Sequence, residues 1–227
     1  MSTRFRALAL LISVALLSSC LREGSFYAEN IQEFATVVEE QLVTDSGNVL
    51  NITENQSDVT DWNQNGKRYL VTYDILNIKR DIRLRELQDV AICEPVEQTT
   101  EQPAVQDPFE LGASNLGGGY LNLLLGVFKA KDSTTPHTFT CQYRDEPDQG
   151  QMYLTLFCDG NNEHPASLPA DKWETERTYC SIWLYPLLKD NARIILLIHN
   201  RVQKDDDGNW TVVADTLSMS GSAPVGF

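Results

Sequence analysis

The chain has 227 residues, with 18 Lys and Arg side chains against 32 Asp and Glu, so its formal net charge is −14. This acidic balance excludes a nucleic-acid backbone and an anionic lipid surface as main partners, because both would repel the protein. Hydrophobic residues make up 42% of the chain and aromatic residues 9%. These fractions are typical of a folded globular protein and exclude a disordered acidic tail.

The first twenty residues have the layout of an export signal. Arg4 and Arg6 form a positively charged start, residues 7–17 form an apolar run, and Leu17-Ser18-Ser19-Cys20 ends it. The apolar run is too short for a membrane-spanning helix, which needs about 20 residues. The last four residues resemble the bacterial lipobox, in which a small residue precedes a cysteine that is acylated before cleavage. An ordinary signal peptide with an incidental cysteine, or a membrane anchor, is the alternative interpretation.

Lipidation of Cys20 would place the protein on a membrane. We expect residues 1–19 to be removed as a signal peptide and residues 20–29 to form a tether. The mature chain would then carry 16 basic and 32 acidic side chains, a net charge of −16. Acyl chains anchor a protein stably, because each buried CH₂ contributes about 0.8 kcal/mol. Leu21 rather than Asp follows the cysteine, which resembles enterobacterial sorting to the outer membrane. The predicted location is therefore the cell envelope, at the outer membrane, with its periplasmic or surface face left open.

An acidic, proline-rich stretch divides the rest of the chain. Residues 94–108 contain three prolines and few large apolar side chains, so they cannot build a helix or a central strand. A linker is favoured over a long internal loop, because structureless loops of this length are uncommon in compact domains. The predicted organisation is a β-barrel at 30–93, a linker at 94–108 and a β-sandwich at 109–222.

The first block contains four or five short strand patterns. Strands are predicted at 31–40, 48–53, 67–76 and from Ile82 onward. One face of the third strand is apolar at period two, formed by Tyr69, Val71, Tyr73 and Ile75. In the last strand the alternation slips at Glu86 and resumes at Leu87, which is typical of a β-bulge. The block suits a small barrel of the OB type, with an SH3-like barrel as the close competitor.

The second block contains more strands at regular spacing. They are predicted at 120–128, 137–143, 152–158, 178–185, 194–198 and 210–217. Residues 144–151 predict one hairpin, and Asp205-Asp206-Asp207-Gly208 predicts another, because a type I′ turn needs positive φ angles. Six or seven antiparallel strands favour a β-sandwich. The predicted fold class is all-β, with a small N-terminal OB-like barrel followed by a C-terminal antiparallel β-sandwich.

Three short motifs, together with the lipobox, resemble those of one family. They are Phe34-Ala35-Thr36-Val37-Val38, Asn65-Gly66-Lys67-Arg68-Tyr69-Leu70-Val71-Thr72-Tyr73 and Gly118-Gly119-Tyr120-Leu121-Asn122. In this order they resemble the NigD-like lipoproteins of Bacteroidota, over roughly residues 30–217. The resemblance implies an N-terminal OB-type domain and a C-terminal β-sandwich. It also implies an association with bacteriocin gene clusters, and it supplies no catalytic motif.

Four cysteines follow the lipidated one. They are Cys93, Cys141, Cys158 and Cys180. An exported location permits disulfides, but four cysteines allow three full pairings, so the sequence leaves the partners open. Two alternatives stay open: the sandwich contains one disulfide, or its cysteines are buried thiols that pack as small apolar residues. Because no Cys-x-x-Cys spacing occurs, we predict no zinc site.

No catalytic constellation stands out. The histidines His137, His164 and His199 show no paired metal-ligand spacing, and no Gly-x-Ser-x-Gly motif is present. A Ser-His-Asp triad stays open, because its members need not be close in sequence. We therefore predict no catalytic residue, no metal and no cofactor. The aromatic candidates for stacking on a sugar or protein partner, or for core packing, are Trp62, Trp173 and Trp210.

These features predict a lipid-anchored, non-enzymatic envelope protein that acts as a binding or assembly module. Its expected partners are the membrane, through Cys20, and an envelope protein or a glycan. Two alternatives accompany this prediction. A bacteriocin immunity or toxin-neutralising role rests on the family resemblance alone, and a glycan-binding role rests on exported tryptophans carried by β-structure.

Overall fold

The computed structural model describes residues 28–98, 106–188 and 193–221. Almost all regular structure in these ranges is β-strand, and the one short α-helix, α1, spans Tyr185–Leu188. The predicted all-β class, a barrel followed by a sandwich, is confirmed. Cys20, the predicted signal peptide and most of the predicted tether lie outside the described residues.

The first sheet has five strands and curls into a half-barrel. Its strands are β1 Ala28–Val38, β2 Gln41–Thr44, β3 Asn51–Asn55, β4 Arg68–Ile75 and β5 Asp81–Asp89. Their order is β2-β1-β4-β5-β3, with β3 and β5 parallel and the other pairs antiparallel. A bridge between Val43 and Val49 draws the two edges of the sheet together. The barrel core is formed mainly by Ala35, Val37, Leu42, Tyr69, Val71, Tyr73, Ile82, Leu84 and Leu87.

The period-two pattern of β4 is confirmed, because Tyr69, Val71 and Tyr73 all face this core. The predicted slip in β5 is also confirmed as a register shift. Thr72 pairs with Glu86 and Tyr73 with Leu84, so Arg85 is the extra residue. Strand β2 has no counterpart among the predicted strands, since four residues are too short to show an alternation.

The sandwich begins with a four-stranded sheet. In chain order its strands are β6 Ala91–Cys93, β8 Phe109–Gly117, β9 Tyr120–Ala130 and β12 Trp173–Trp183, and their spatial order is β6-β12-β9-β8. Strand β12 starts five residues before the predicted one, and its whole length pairs with β9.

A five-stranded sheet packs against it. Its strands are β7 Val96–Glu97, β10 Thr138–Glu146, β11 Gln151–Asp159, β13 Arg193–Lys204 and β14 Trp210–Gly221, in the order β14-β13-β11-β10-β7. Both predicted hairpins, β10–β11 and β13–β14, are present in continuous antiparallel register.

Three pairings in the sandwich are parallel, which the strand patterns do not show. They join β11 to β13, β6 to β12 and β7 to β10. Between β11 and β13 the chain passes through β12 in the opposite sheet, so it returns in the same direction. Parallel neighbours require such a crossover instead of a hairpin.

The junction between the two blocks differs from the predicted boundary at residue 93. Strand β6 pairs with β12, and Cys93 belongs to the core of the sandwich rather than to the barrel. Within the predicted linker, Val96–Glu97 adds a short strand to the five-stranded sheet of the sandwich, and Asp107 is buried. Pro95, between β6 and β7, interrupts the strands without keeping this part of the chain off the sandwich. Within the described residues, no helix has the length and apolar content needed to cross a membrane.

Candidate functional site

A buried arginine joins the barrel to the sandwich. Arg68 is the first residue of β4, and its side chain is completely shielded from solvent. Its Nη2 donates to both carboxylate oxygens of Asp45 at 2.7 Å, and its Nη1 donates to Thr36 Oγ1 at 2.7 Å. Across the junction, Nε donates to Ser181 Oγ and Nη2 to Asn122 Oδ1, both at 2.8 Å. A charge buried this deeply is tolerated only when it is fully paired.

The polar side chains on the sandwich side of this network are also hydrogen-bonded. Asn122 and Ser181 are direct partners on β9 and β12, and Ser181 Oγ donates to Asn122 Oδ1 at 2.7 Å. The amide of Asn122 also donates to Asp45 Oδ2 at 2.7 Å. The guanidinium of Arg68 lies 3.9 Å from the centre of the Tyr120 ring. We call Thr36, Asp45, Arg68, Asn122 and Ser181 the junction network. Separating the two domains would expose it unpaired, so the network fixes their relative position.

The turn between β8 and β9 depends on glycine at this junction. Gly118 and Gly119 both have positive φ, +57° and +79°, which fits a type I′ turn. A Cβ on Gly118 would lie 2.3 Å from Asp45 Oδ1, and one on Gly119 would lie 3.0 Å from Cβ of Tyr185. The carbonyl of Gly119 accepts hydrogen bonds from the backbone N–H groups of Leu184 and Tyr185 at 2.8 and 2.9 Å. The turn therefore connects the junction network to the start of α1.

An open apolar cleft of about 440 Å³ lies beside the junction network. Its most exposed apolar side chains are Val38 (49%), Tyr185 (38%) and Trp183 (36%). The barrel contributes the end of β1 and β2, and the sandwich contributes the end of β12 and the glycine turn. The cleft is lined by Thr36, Val38, Val43, Thr44, Asp45, Gly118, Tyr120, Trp183 and Tyr185. Exposed aromatic side chains grouped in one concave surface are typical of a binding site.

Two acidic residues follow the cleft residue Val38 in the chain. Glu39 and Glu40 follow Val38 directly, in the turn between β1 and β2, and both are exposed. Both have positive φ, +49° and +66°, in the left-handed region that few non-glycine residues adopt. Asp45 also lines the cleft, although Arg68 neutralises its charge. The two glutamates are not among the residues that line the cleft, but they bring exposed negative charge next to Val38 in the chain.

The tryptophans singled out from the sequence do not form this cleft. Trp62 packs against the barrel core. Trp173 and Trp210 meet edge to face, with ring centres 6.3 Å apart and ring planes at 90°, so they present no flat platform for a sugar. Trp183, which the sequence analysis passed over, is the exposed one. Its neighbours Ile182 and Leu184 face the core, and this alternation indicated that Trp183 faces outward.

Asp107, His164 and Ser167 meet near the end of the linker but are not arranged as a catalytic triad. His164 Nε2 lies 3.1 Å from Ser167 Oγ and 3.8 Å from Asp107 Oδ1. A triad needs the acid and the nucleophile on opposite ring nitrogens, whereas here Ser167 Oγ is 3.5 Å from Nδ1 and closer to Nε2, the nitrogen that Asp107 approaches. Burial lowers the pKa of His164, although Asp107 opposes that shift, so the ring is neutral near pH 7. Asp107 instead accepts backbone N–H groups of Gly160 and Asn162 at 2.9 and 2.7 Å, which fixes the loop after β11.

The other two histidines have packing roles. His137 Nε2 lies 2.8 Å from the carbonyl oxygen of Phe128. His199 stacks on Phe109 in the sandwich core, with ring centres 5.0 Å apart, and burial lowers its pKa. In the part of the chain that the structure describes, no group of three His, Cys, Asp or Glu side chains is placed to hold a metal ion.

All four internal cysteines are buried free thiols in one place, the core of the sandwich. The sequence placed Cys93 in the barrel and the other three in the sandwich. The structure unites them because β6 belongs to the sandwich. The pairing of these cysteines remained open from the sequence.

No protein-family model and no curated protein matches this chain. Solved structures do match it. A NigD-like immunity protein from Bacteroides caccae superimposes with a TM-score of 0.59 at 19% identity, covering 84% of this chain and 93% of that one. The chain has the NigD-like fold. A protein from Parabacteroides distasonis named as toxin-related gives a TM-score of 0.60 at 15% identity, covering 85% and 93% of the two chains.

A third match, a protein of unknown function from Bacteroides vulgatus, gives a TM-score of 0.56 at 16% identity, covering 86% and 94% of the two chains. At these identities the likeness concerns the fold. The NigD-like fold of this chain includes both domains, and the three sequence motifs converge where they meet. Thr36, Arg68 and Asn122 come from one motif each and are hydrogen-bonded together, which gives the motifs a shared physical role.

Proposed function

We propose that this chain is a lipid-anchored envelope protein without catalytic activity, whose cleft binds a segment of another polypeptide. The observation that carries the proposal is the exposed group of Val38, Trp183 and Tyr185 beside a fully paired junction network. The network holds both walls of the cleft in place before any partner arrives. Such preorganisation lowers the entropic cost of binding.

The charge of the cleft selects the chemistry of the partner. Glu39 and Glu40 directly follow the cleft residue Val38 and are exposed, and the whole chain carries a net charge of −14. An apolar segment with basic side chains satisfies both features, since its apolar face fills the cleft and its cations face the glutamates. The proposed occupant is therefore a cationic, amphipathic polypeptide segment, and complementary charge would also raise its association rate.

A toxin-neutralising role is the more specific form of this proposal. Its support is that one structural neighbour is named as an immunity protein and another as toxin-related. A protein held at the membrane with a cleft for cationic amphipathic segments would intercept a peptide toxin of that chemistry before it reached the bilayer. Loss of the gene would then make the cell more sensitive to such a peptide.

The membrane anchor is tested at Cys20. In the Cys20→Ala variant, expressed with its own signal sequence, we expect the protein to leave the detergent-soluble membrane fraction, because no acyl chain can be attached. The measurement is fractionation together with metabolic labelling by a fatty-acid analogue. Cys158→Ala is the matched control, since that thiol is buried in the sandwich. Labelling that persists in Cys20→Ala would contradict the anchor.

The cleft is tested with a fluorescent Leu/Lys amphipathic peptide and its Leu/Glu counterpart of equal length. We expect the full chain to bind the first and not the second. Trp183→Ala or Val38→Asp should weaken binding by about 10- to 30-fold, as expected for a buried anchor residue at an interface. The measurement is fluorescence anisotropy, repeated at higher salt, where the affinity should fall.

Val212→Asp is the matched control for Val38→Asp. Val212 is 40% exposed on β14 and does not line the cleft. Equal loss of binding in both variants would contradict the assignment of the cleft. Binding of a neutral oligosaccharide panel in place of the peptide would favour the glycan alternative. A reproducible hydrolase activity lost in His164→Ala would contradict the non-catalytic part of the proposal.

A further inference from the structure

We propose that Cys93 and Cys141 form a disulfide that joins β6 to β10 across the two sheets of the sandwich. The proposal depends on export to an oxidising compartment, which is part of the proposed function. It selects one pair from the alternatives that the sequence left open. The selection comes from the path of the chain between β6 and β7.

Cys93 lies where the chain crosses from one sheet to the other. It is the last residue of β6 and pairs with Ile182 of β12, in the four-stranded sheet of the sandwich. Three residues later Val96 pairs with Gln142 of β10, in the five-stranded sheet of the sandwich. The backbone at Cys93 is therefore already turning toward β10. Its Sγ lies 3.7 Å from the carbonyl oxygen of Phe139. Phe139 lies two residues before Cys141 on β10, and both cysteines belong to the same core.

The strand register disfavours the pairs within one sheet. On β6 and β12, Ala91 is opposite Cys180 and Cys93 is opposite Ile182, so the two cysteines are diagonal neighbours. On β10 and β11, Cys141 is opposite Leu156 and Cys158 is opposite Phe139, which is again a diagonal. Diagonal neighbours lie about 7–8 Å apart, whereas the Cα atoms of a disulfide lie about 4.4–6.8 Å apart.

The pairs between the two sheets are disfavoured by the thickness of the sandwich. Cys180 belongs to the four-stranded sheet of the sandwich, and Cys141 and Cys158 belong to its five-stranded sheet. Packed sheets are about 10 Å apart, which is too far for a disulfide between central strands. Cys93 escapes this limit, because the chain is crossing between the sheets at that residue. It crosses beside β10, which carries Cys141, and not beside β11, which carries Cys158.

The oxidation transfers two electrons and needs a partner disulfide as oxidant. A thiolate of one cysteine attacks the disulfide of a thiol oxidoreductase or of a small molecule such as oxidised glutathione. The mixed disulfide that forms is displaced by the second thiolate. The products are the Cys93–Cys141 bond and the oxidant as a dithiol or two thiols, which take up the two protons released.

Burial sets the time at which this reaction occurs. The hydrogen bond with Cys93, together with burial, raises the pKa of Cys141 well above its ordinary value. Burial raises the pKa of Cys158 to about 12 and also raises that of Cys180. Because the thiolate is the reactive form, these thiols react poorly in the folded protein. The bond therefore forms before the sandwich closes, and it is then shielded from reductants.

The experiment uses the full chain, denatured with its thiols reduced and then refolded in oxidised and reduced glutathione. Peptide mapping by mass spectrometry should show a product lighter by two hydrogens, with Cys93 joined to Cys141. Cys158 and Cys180 should be alkylated only after unfolding. The bond closes a loop from residue 93 to residue 141, so reduction should lower the melting temperature by about 10 °C.

Two paired variants serve as controls. Cys158→Ala/Cys180→Ala should keep the disulfide and its response to reductant, whereas Cys93→Ala/Cys141→Ala should lose both. Four free thiols after glutathione refolding, or any other pair as the main product, would overturn the proposal. Protein isolated from cells with its thiols blocked at lysis separates the two claims. A bond formed in glutathione but absent from cells would contradict export and leave the pairing supported.

Discussion

Arg68→Ala should lower the free energy of unfolding by about 3–5 kcal/mol, since removing one partner of a buried ion pair leaves the other unpaired. The variant leaves Asp45 without its cation and removes the donors that Asn122 and Ser181 receive from the barrel. In a protein of this size the melting temperature should fall by about 10 °C. Urea denaturation followed by tryptophan fluorescence measures the change.

Arg144→Ala is the matched control for Arg68→Ala. Arg144 is 53% exposed and pairs with Glu146 on the surface of the sandwich, so its loss should change stability by less than about 1 kcal/mol. The double variant Arg68→Ala/Asp45→Ala should lose much less unfolding free energy than the sum of the two single variants, because both substitutions remove the same interaction. Additive losses would show that the pair does not hold the junction together. A loss from Arg68→Ala no larger than the control would exclude the network as a main source of stability.

Gly118→Ala should lower the free energy of unfolding by about 3 kcal/mol or more. Part of the loss is conformational, because a φ of +57° costs an L-residue about 1–2 kcal/mol. The rest is steric, since the new Cβ would lie 2.3 Å from Asp45 Oδ1. Asp45 cannot move aside without breaking its bonds to Arg68 and Asn122. The same variant should weaken binding of the Leu/Lys peptide, because Gly118 and Asp45 both line the cleft.

Gly208→Ala separates the two contributions. Gly208 has a φ of +83° in the β13–β14 turn, and a Cβ there would meet no atom within 4 Å. This control should therefore lose only the conformational part, about 1–2 kcal/mol, and keep peptide binding. Equal losses in the two variants would show that the contact with Asp45 carries no energetic weight. Chemical denaturation of both variants under the same conditions provides the comparison.

The strands and hairpins were predictable because their patterns are local. The alternation of Tyr69, Val71 and Tyr73 reports which face of β4 is buried, and the structure confirms it. The Asp-Gly pair before β14 also marked its hairpin, but the predicted type I′ turn is wrong, because of these two residues only Gly208 has a positive φ. Strand β2 was missed, and so was the start of β12. There the chain is polar for several residues, and pairing with β9 alone keeps it extended.

The boundary between the domains was less predictable. Prolines and acidic side chains favoured a linker from residue 94 onward, yet Ala91–Cys93 and Val96–Glu97 each complete a sheet of the sandwich. Strands of two or three residues have no periodicity of their own. They form because a neighbouring strand offers unpaired backbone groups, and this depends on residues far away in the chain.

The candidate site was also predictable from the sequence only in part. Several of its residues were present in the sequence motifs, among them Thr36 in the first, Arg68 in the second and Asn122 in the third, but nothing in the motifs indicated that they meet. A positively charged side chain in a strand is ordinarily exposed, so the burial of Arg68 was not predictable from its surroundings in the sequence. Trp183 was predictable as an outward-facing residue, whereas its position opposite Val38 was not.

The sequence by itself determined the all-β class and most of the strands, and it predicts the export signal with its lipidation motif. Each of these depends on residues that are near one another in the chain. Only the tertiary structure decided that Arg68 bonds to Ser181, 113 positions later, and that Cys93 lies in the same core as Cys141. Contacts of this kind arise when sheets pack, since packing brings together side chains whose separation along the chain carries no pattern. The cleft between the barrel and the sandwich is a product of that packing.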